Sequence, residues 1–338
     1  MNGIATDLFQ TEAWFNNLLE TGFVEQPKCF SIHWQTPAGE VSLRLMLAHG
    51  RLHSLSNYYT CVFGPQGSRQ AQREIDWPAF VARMGSLPGA SVVNLRPLDA
   101  SSEWLPAFEA AAIKAGYWTD RFFCFGNWYQ PVPAGGYAAY WTQRPSALRH
   151  SVERGRRRLD KGGDWSVSIV TSNADDLDTA IAAYEQVYAQ SWKLPEPCPG
   201  FIPGLIRTAA REGWLRLGVL RFNGQPLASQ LWLVHAGKAN IYKLAYVKGF
   251  EKFSAGSVLT AALMQYVMDV DGVEEVDFLS GDDAYKADWM AMRRERVGLL
   301  ACHTRHWRGW LAAGRQILGR WRRSISSSSP RRLPSHST

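Results

Sequence analysis

The sequence predicts an α/β (α+β) chain of two tandem halves, each a mixed, mostly antiparallel sheet flanked by helices. Three observations lead there. Short β-rich runs recur in both halves between glycine-containing turns, helical periodicity follows the strands in each half, and a Pro/Gly-rich stretch at 131–136 stands between them. At 338 residues there is room for two domains of ordinary size, and 46% hydrophobic residues with 15 tryptophans exclude a disordered protein.

In the first half, 1–135, residues 11–20 read as a short helix, and 28–35, 41–48 and 51–59 as strands parted by Pro-Ala-Gly and His-Gly turns. A helix starts at Asp76 or Trp77-Pro78 and runs to Met84. Residues 92–95 make a buried strand, 102–115 a helix capped by Ser101 or Ser102, and 117–132 an aromatic-rich strand. Gly64-Pro65-Gln66-Gly67-Ser68 leads into polar residues, so this half lacks a small-residue turn opening onto an apolar helix. It is expected to shape a groove and hold no cofactor.

The second half, 136–303, opens with a helix capped by Ser146 and reaching about Lys161. Its Arg149, Arg154, Arg156, Arg157 and Arg158 suit phosphates, or equally a solvated face paired with Glu153 and Asp160. A strand at 167–170, a helix at 174–190 and a Pro-rich loop at 194–203 follow. The runs 215–222 and 226–235 flank Asn223-Gly224, a strong hairpin signal, and 239–247 adds a third strand after Ala236-Gly237. Val258, Leu259, Ala262, Leu263, Tyr266 and Val267 then recur at helical spacing, so a helix starts near Ser257. Val276, Phe278 and Leu279 form a short buried strand that opens onto residues 281–286.

A strand, the small-residue turn Ser254-Ala255-Gly256-Ser257 and a helix make a physical device for holding anions. First-turn N–H groups have no intrahelical partner, and the helix dipole is positive there. An ordinary cap at Ser254 or Ser257 is the simpler alternative.

The order of three strands, small-residue loop, helix and strand resembles the acyl-CoA-binding core of the GNAT N-acyltransferases, in which the loop after the fourth strand cradles a pyrophosphate. Lys243-Leu244-Ala245-Tyr246, Ser254 to Leu259, Asp277-Phe278-Leu279-Ser280-Gly281 and Tyr285-Lys286-Ala287-Asp288-Trp289 resemble more closely the CelD/BcsL (BioF2-like) branch. That branch is similar to the FemAB aminoacyl transferases, which carry two GNAT-like halves. Arg154 to Leu159 and Tyr188 to Lys193 fit the same pattern, so the resemblance covers roughly 146–300. Where the usual GNAT loop carries two small positions after its Arg or Gln, this turn has a single Gly.

The resemblance implies an N-acyltransferase with acyl-CoA (acetyl-CoA) as co-substrate and a primary amine as acceptor, in a small molecule or on a glycan or lipid-linked component of envelope or exopolysaccharide synthesis. Leu244, Ala245, Tyr246, Ser254, Ala255, Gly256 and Ser257 would hold the donor. Asp277 would orient or accept a proton, Tyr285 donate one, and Lys286 meet an anionic group. Two other readings stay open: a FemAB-like transferase drawing its donor from tRNA, with the arginines of 154–158 binding RNA, and a non-catalytic peripheral-membrane scaffold. Nucleic acid is not the expected partner under the first.

Five scattered cysteines without a Cys-x-x-Cys pair fit reduced thiols. Cys302, His303 and His306 lack the carboxylate or second pair that a metal site needs, so no metal is expected. Residues 1–7 have neither a basic region nor an apolar core, so no signal peptide and a cytoplasmic location are expected. The net charge of +7 belongs to the tail: 304–338 holds eight Arg and no acid, which leaves −1 on the remainder. Within 304–323, Trp307, Trp310, Leu311, Ile317, Leu318 and Trp321 fall on one side of a helix and the arginines on the other. Such a helix lies in an anionic membrane surface or packs on the core with its arginines in water. Residues 324–338 are low-complexity and are expected to be disordered.

Overall fold

The computed structural model describes residues 7–172 and 176–327. The first half runs α1 (Glu12–Thr21), β1 (Lys28–Thr36), β2 (Gly39–Ala48), β3 (Arg51–Ser54), α2 (Arg69–Arg73), α3 (Trp77–Gly85), β4 (Val92–Asp99), α4 (Trp104–Lys114) and β5 (Tyr117–Pro131). The second runs α5 (Gly136–Thr142), α6 (Ser146–Gly162), β6 (Trp165–Val170), α7 (Leu177–Ala189), α8 (Phe201–Arg211), β7 (Leu215–Phe222), β8 (Gln225–His235), β9 (Lys238–Tyr246), α9 (Ala255–Asp269), β10 (Glu275–Asp277), α10 (Lys286–Trp289), β11 (Met292–His303) and α11 (Trp307–Ser327). The residues at 1–6, the helix start expected at 174 and the tail from 328 onward lie outside the described residues.

All the described strands join one mixed, mostly antiparallel sheet in the order β1-β2-β3-β4-β11-β5-β10-β9-β8-β7-β6. Only β3/β4 and β9/β10 pair in parallel, so each half places its parallel pair toward the middle. There the halves exchange strands. β5 of the first half pairs with β10 of the second, β11 of the second pairs with β4 of the first, and the two pair with each other from Tyr129↔Met292 to Tyr117↔His303. The sheet runs unbroken across the boundary expected at 135/136.

Three hairpin turns follow directly from sequence. His49-Gly50, Asn223-Gly224 and Ala236-Gly237 all have two positive φ angles, the type I′ geometry whose twist matches that of the strands. Along β8 the side chains alternate: Leu231 and Leu233 enter a core shared with α1, α7 and α8, while Trp232 enters a second core under α5, α6 and α9.

Several elements depart from expectation. The third strand stops at Ser54 and not at 59, because the Ser54 and Ser56 hydroxyls donate to the Arg96 carbonyl and Asn57 turns the chain by accepting from the Tyr59 N–H. The chain then leaves the sheet and carries Tyr59 and Cys61 to the border with the second half. The Pro-rich loop expected at 194–203 ends earlier, because Phe201–Arg211 form α8; Pro203 sits in its first turn, where its missing N–H costs nothing. β11 was not expected as a strand, since four charges interrupt its first five residues.

The strand exchange makes each half depend on the other. Residues 1–135 and 136–338 expressed separately should be unfolded or aggregated, and the intact chain should unfold in one transition by both far-UV circular dichroism and tryptophan fluorescence. Two resolved transitions would contradict this.

Candidate active site

The parallel pair β9/β10 stays in register for three residues only, Lys238↔Glu275, Ala239↔Val276 and Asn240↔Asp277. Beyond Asp277 the chain follows β5: the Phe278 N–H donates to the Trp128 carbonyl at 2.8 Å. Residues 241–246 of β9 keep β8 on one edge and lose β10 on the other, so a cleft opens between them.

A buried polar clamp causes the parting. Asp277 is fully buried, and its Oδ1 accepts from Asn127 Nδ2 at 2.6 Å and from the Leu279 N–H at 2.7 Å. Its Oδ2 pairs with Arg294 Nη2, which also holds Glu275 at 2.6 Å. Asn127 in turn donates to the Leu279 carbonyl at 3.0 Å and accepts from Arg294 and Arg296, both at 2.9 Å. These bonds hold Leu279 at φ 53°, a conformation costly for a non-glycine residue, and so turn the chain away from β9. Burial alone would raise the Asp277 pKa, but Arg294, then Lys238 and Arg296, hold it below the usual carboxylate range. Closed off from solvent among these partners, Asp277 holds the loop at Leu279 in place.

Lys286 completes the wall. Its buried ammonium donates to the carbonyls of Phe278, Ser280 and Gly281 at 3.2, 2.6 and 3.2 Å. An ammonium has three protons, so these bonds use all of them on the loop and leave none for an outside anion. Tyr285 differs. It is 45% exposed, stands edge-on to Phe278, and burial and then Asp283 push its pKa up to about 12, so its phenol keeps its proton at neutral pH.

On the other wall, the β8/β9 register shifts: Leu231 faces Lys243 and Trp232 faces Ile241, which leaves Tyr242 as an extra residue in β9. Leu244, Ala245 and Tyr246 follow on the edge that β10 has left. At the same end of the sheet, α9 begins with Ser254 at φ 49° and no side-chain cap. Among the described residues, the amides of Ala255, Gly256 and Ser257 have no hydrogen-bond acceptor. The α6 helix packs beside this turn, with Ser151 Oγ 3.5 Å from Ser254 Oγ and Arg158 donating to the Lys252 carbonyl at 2.5 Å. The turn therefore combines open amides with nearby cationic charge, the donor set that a phosphate takes.

The structure adds residues that sequence reasoning did not assign. Lys243 Nζ pairs with Glu196 Oε1 at 2.7 Å and lies over the rings of Tyr58 and Tyr59. Among the described residues Glu196 Oε2 is buried without a hydrogen-bond partner, and Glu196 lines a cavity of about 350 Å³ with Tyr184, Tyr188 and Lys193. Lys193 has no carboxylate within salt-bridge range among the described residues. Burial and then the charge of Lys243 lower its pKa to about 8. From the first half, Tyr59 accepts through its carbonyl from the Tyr242 hydroxyl at 2.9 Å. Both halves therefore line the site. Its one visible sequence signal was Lys193 and Lys243 standing inside the motifs at 188–193 and 243–246.

Residues 146–287 match the family model described as an acetyltransferase (GNAT) domain. No curated protein matches the sequence at a significant level. Among solved structures, FemX superposes with a TM-score of 0.64 at 10% identity, covering 88% of this chain and 92% of that one. L-PGS from Bacillus licheniformis gives 0.52 at 12% identity, covering 95% and 98%. Both similarities concern the fold and span the first half as well as residues 146–287.

Asp277→Asn should cost about 3–5 kcal/mol, because buried arginines lose their counter-charge; chemical denaturation measures it, and a loss below about 1 kcal/mol contradicts the clamp. Because the folded-state pKa of Asp277 is depressed, its contribution is complete above the unfolded value of about 3.9 and is lost as pH falls through the folded value, an acid limb that the variant should lack. Lys193 should react with limiting amine-directed reagent with a half-point near pH 8, read by mass spectrometry of its peptide. A half-point near the ordinary lysine value of about 10.4 would oppose that assignment.

Proposed function

We propose that the GNAT domain transfers an acyl group from an acyl-CoA to a primary amine in the cleft between β9 and β10. The observation that carries this reading is the uncapped start of α9 beside a parallel strand pair that parts after three residues. The open amides of Ala255, Gly256 and Ser257 would hold the pyrophosphate, with Arg158 and its neighbour Arg154 adding charge. The β9 edge at Leu244, Ala245 and Tyr246 would pair with the amide groups of the donor's extended arm.

An amine that attacks a thioester carbonyl must lose a proton as the C–N bond forms, and the thiolate released as the C–S bond breaks must gain one. Lys193 is suited to the first task, since a pKa of about 8 leaves a usable neutral fraction near neutral pH. Tyr285 is suited to the second, being exposed and protonated. Glu196 Oε2 would accept a hydrogen bond from the acceptor's neutral amine before reaction. The CelD/BcsL resemblance supports an acceptor amine on an envelope or exopolysaccharide component.

One observation favours a second reading. The exposed arginines of α6, at 154 and 156–158, of which Arg158 reaches the Lys252 carbonyl ahead of the α9 turn, suit the phosphates of a tRNA carrying an aminoacyl donor.

Thermal unfolding with acetyl-CoA, longer acyl-CoAs and free CoA tests the first reading. A donor at 100 times its Kd stabilises the native state by about 2.7 kcal/mol. Gly256→Asp should abolish the shift: a Cβ there already meets the Tyr246 ring at 3.2 Å, and the carboxylate would repel phosphate. No shift with any CoA, together with salt-sensitive tRNA binding, would favour the second reading.

A further inference from the structure

The C-terminal helix packs in an unexpected orientation. It meets the core through its small residues: Ala312 and Ala313 are buried against Val92, Leu300 and Cys302, and Gly309 lies so close to His303 that an added Cβ would fall 2.2 Å from the His303 carbonyl oxygen. Arg320 and Gln316 turn inward to the buried carboxylate of Asp120. The apolar side points away from the protein, with Trp307 68%, Trp310 64% and Leu318 57% exposed. A helix whose purpose was packing alone would bury its tryptophans.

Along one flank of this helix runs a groove of about 730 Å³ lined by Arg51, Arg96, Arg121, Arg315 and Arg320, with Phe122 and Phe123 at its wall. Arg121 is paired with Glu109 and Arg320 with Asp120. Arg51, Arg96 and Arg315 have no carboxylate within salt-bridge range among the described residues. At ~100° per residue, Arg315 lies about 40° around the helix from Leu311, so groove and apolar side open next to each other. Phe123, 55% exposed, extends the apolar surface onto β5. No helix among the described residues is long and apolar enough to cross a membrane.

We propose that α11 and the arginine groove form one docking surface for an anionic phospholipid membrane. Trp307, Trp310, Leu311 and Leu318 enter the boundary between headgroups and acyl chains, and the unpaired arginines of the groove meet lipid phosphates. Exposed tryptophans beside unneutralised arginines are the combination such a surface selects, since neither an apolar partner nor free solvent accounts for both. The inference does not rest on the transfer reaction proposed above.

Flotation of the full chain with vesicles tests it. Vesicles of phosphatidylcholine with one third phosphatidylglycerol should carry the protein, and phosphatidylcholine alone should not. Each cation near an anionic surface contributes about 1 kcal/mol, so Arg96→Glu with Arg315→Glu should weaken partitioning at least about tenfold. Trp307→Ser with Trp310→Ser should weaken it comparably; these side chains are mostly in solvent, and an unchanged melting curve verifies folding. Inorganic phosphate should reduce flotation no more than chloride at equal ionic strength, which separates a membrane surface from a site for free phosphate. Equal flotation with neutral vesicles, full flotation of either double variant, or loss specific to phosphate would overturn the proposal.

Discussion

The carboxylate of Asp277, closed inside the molecule between Arg294 and Asn127, is the constraint on which the rest of this architecture depends. It sits where β10 meets β9 on one side and β5 on the other, with β11 supplying the arginines. Burying an ion this deeply costs several kcal/mol, and only a close, complete set of partners offsets it. Such a set also permits one geometry. Because Asp277 and Asn127 bind both the N–H and the carbonyl of Leu279, the chain must turn at that residue, and the cleft beside β9 is the consequence. Lys286 then fixes the turned loop by gathering three of its carbonyls.

The strand exchange explains why such a clamp can exist. Asn127 lies on β5 of the first half, Asp277 on β10 and Arg294 on β11 of the second, and only the crossing of β5 and β11 at the middle of the sheet brings the three together. The same pairing brings the loop after β3 against the second half, where Tyr59 meets Tyr242 and its ring stacks on Phe201 at 3.8 Å. The first half thus supplies structural support and one side of the site.

Much of the fold was legible because it rests on local signals. The His-Gly, Asn-Gly and Ala-Gly pairs placed three hairpins, and the apolar spacing from Val258 to Val267 placed α9. The parts that escaped notice have long-range causes. β11 reads as polar because its arginines answer a carboxylate on another strand, and the early end of β3 follows from the Arg96 carbonyl drawing in Ser54 and Ser56. In the candidate site, the residues from Leu244 to Ser257 were readable as a strand, a turn and a helix start. The loop contacts of Asp277 and Lys286 were not, because their spacing along the chain is the same whether they face a substrate or hold a loop. Lys193 and Glu196 acquire their character from burial and from each other's neighbours, which no local pattern records.

Amide hydrogen exchange with and without near-millimolar CoA tests the central claim, that the cleft opened by the Asp277 clamp is the donor site. Slowed exchange confined to 241–246 of β9 and to the first turn of α9 at 254–258 is the predicted result. Unchanged exchange in both segments, or protection only elsewhere in the chain, would contradict the account.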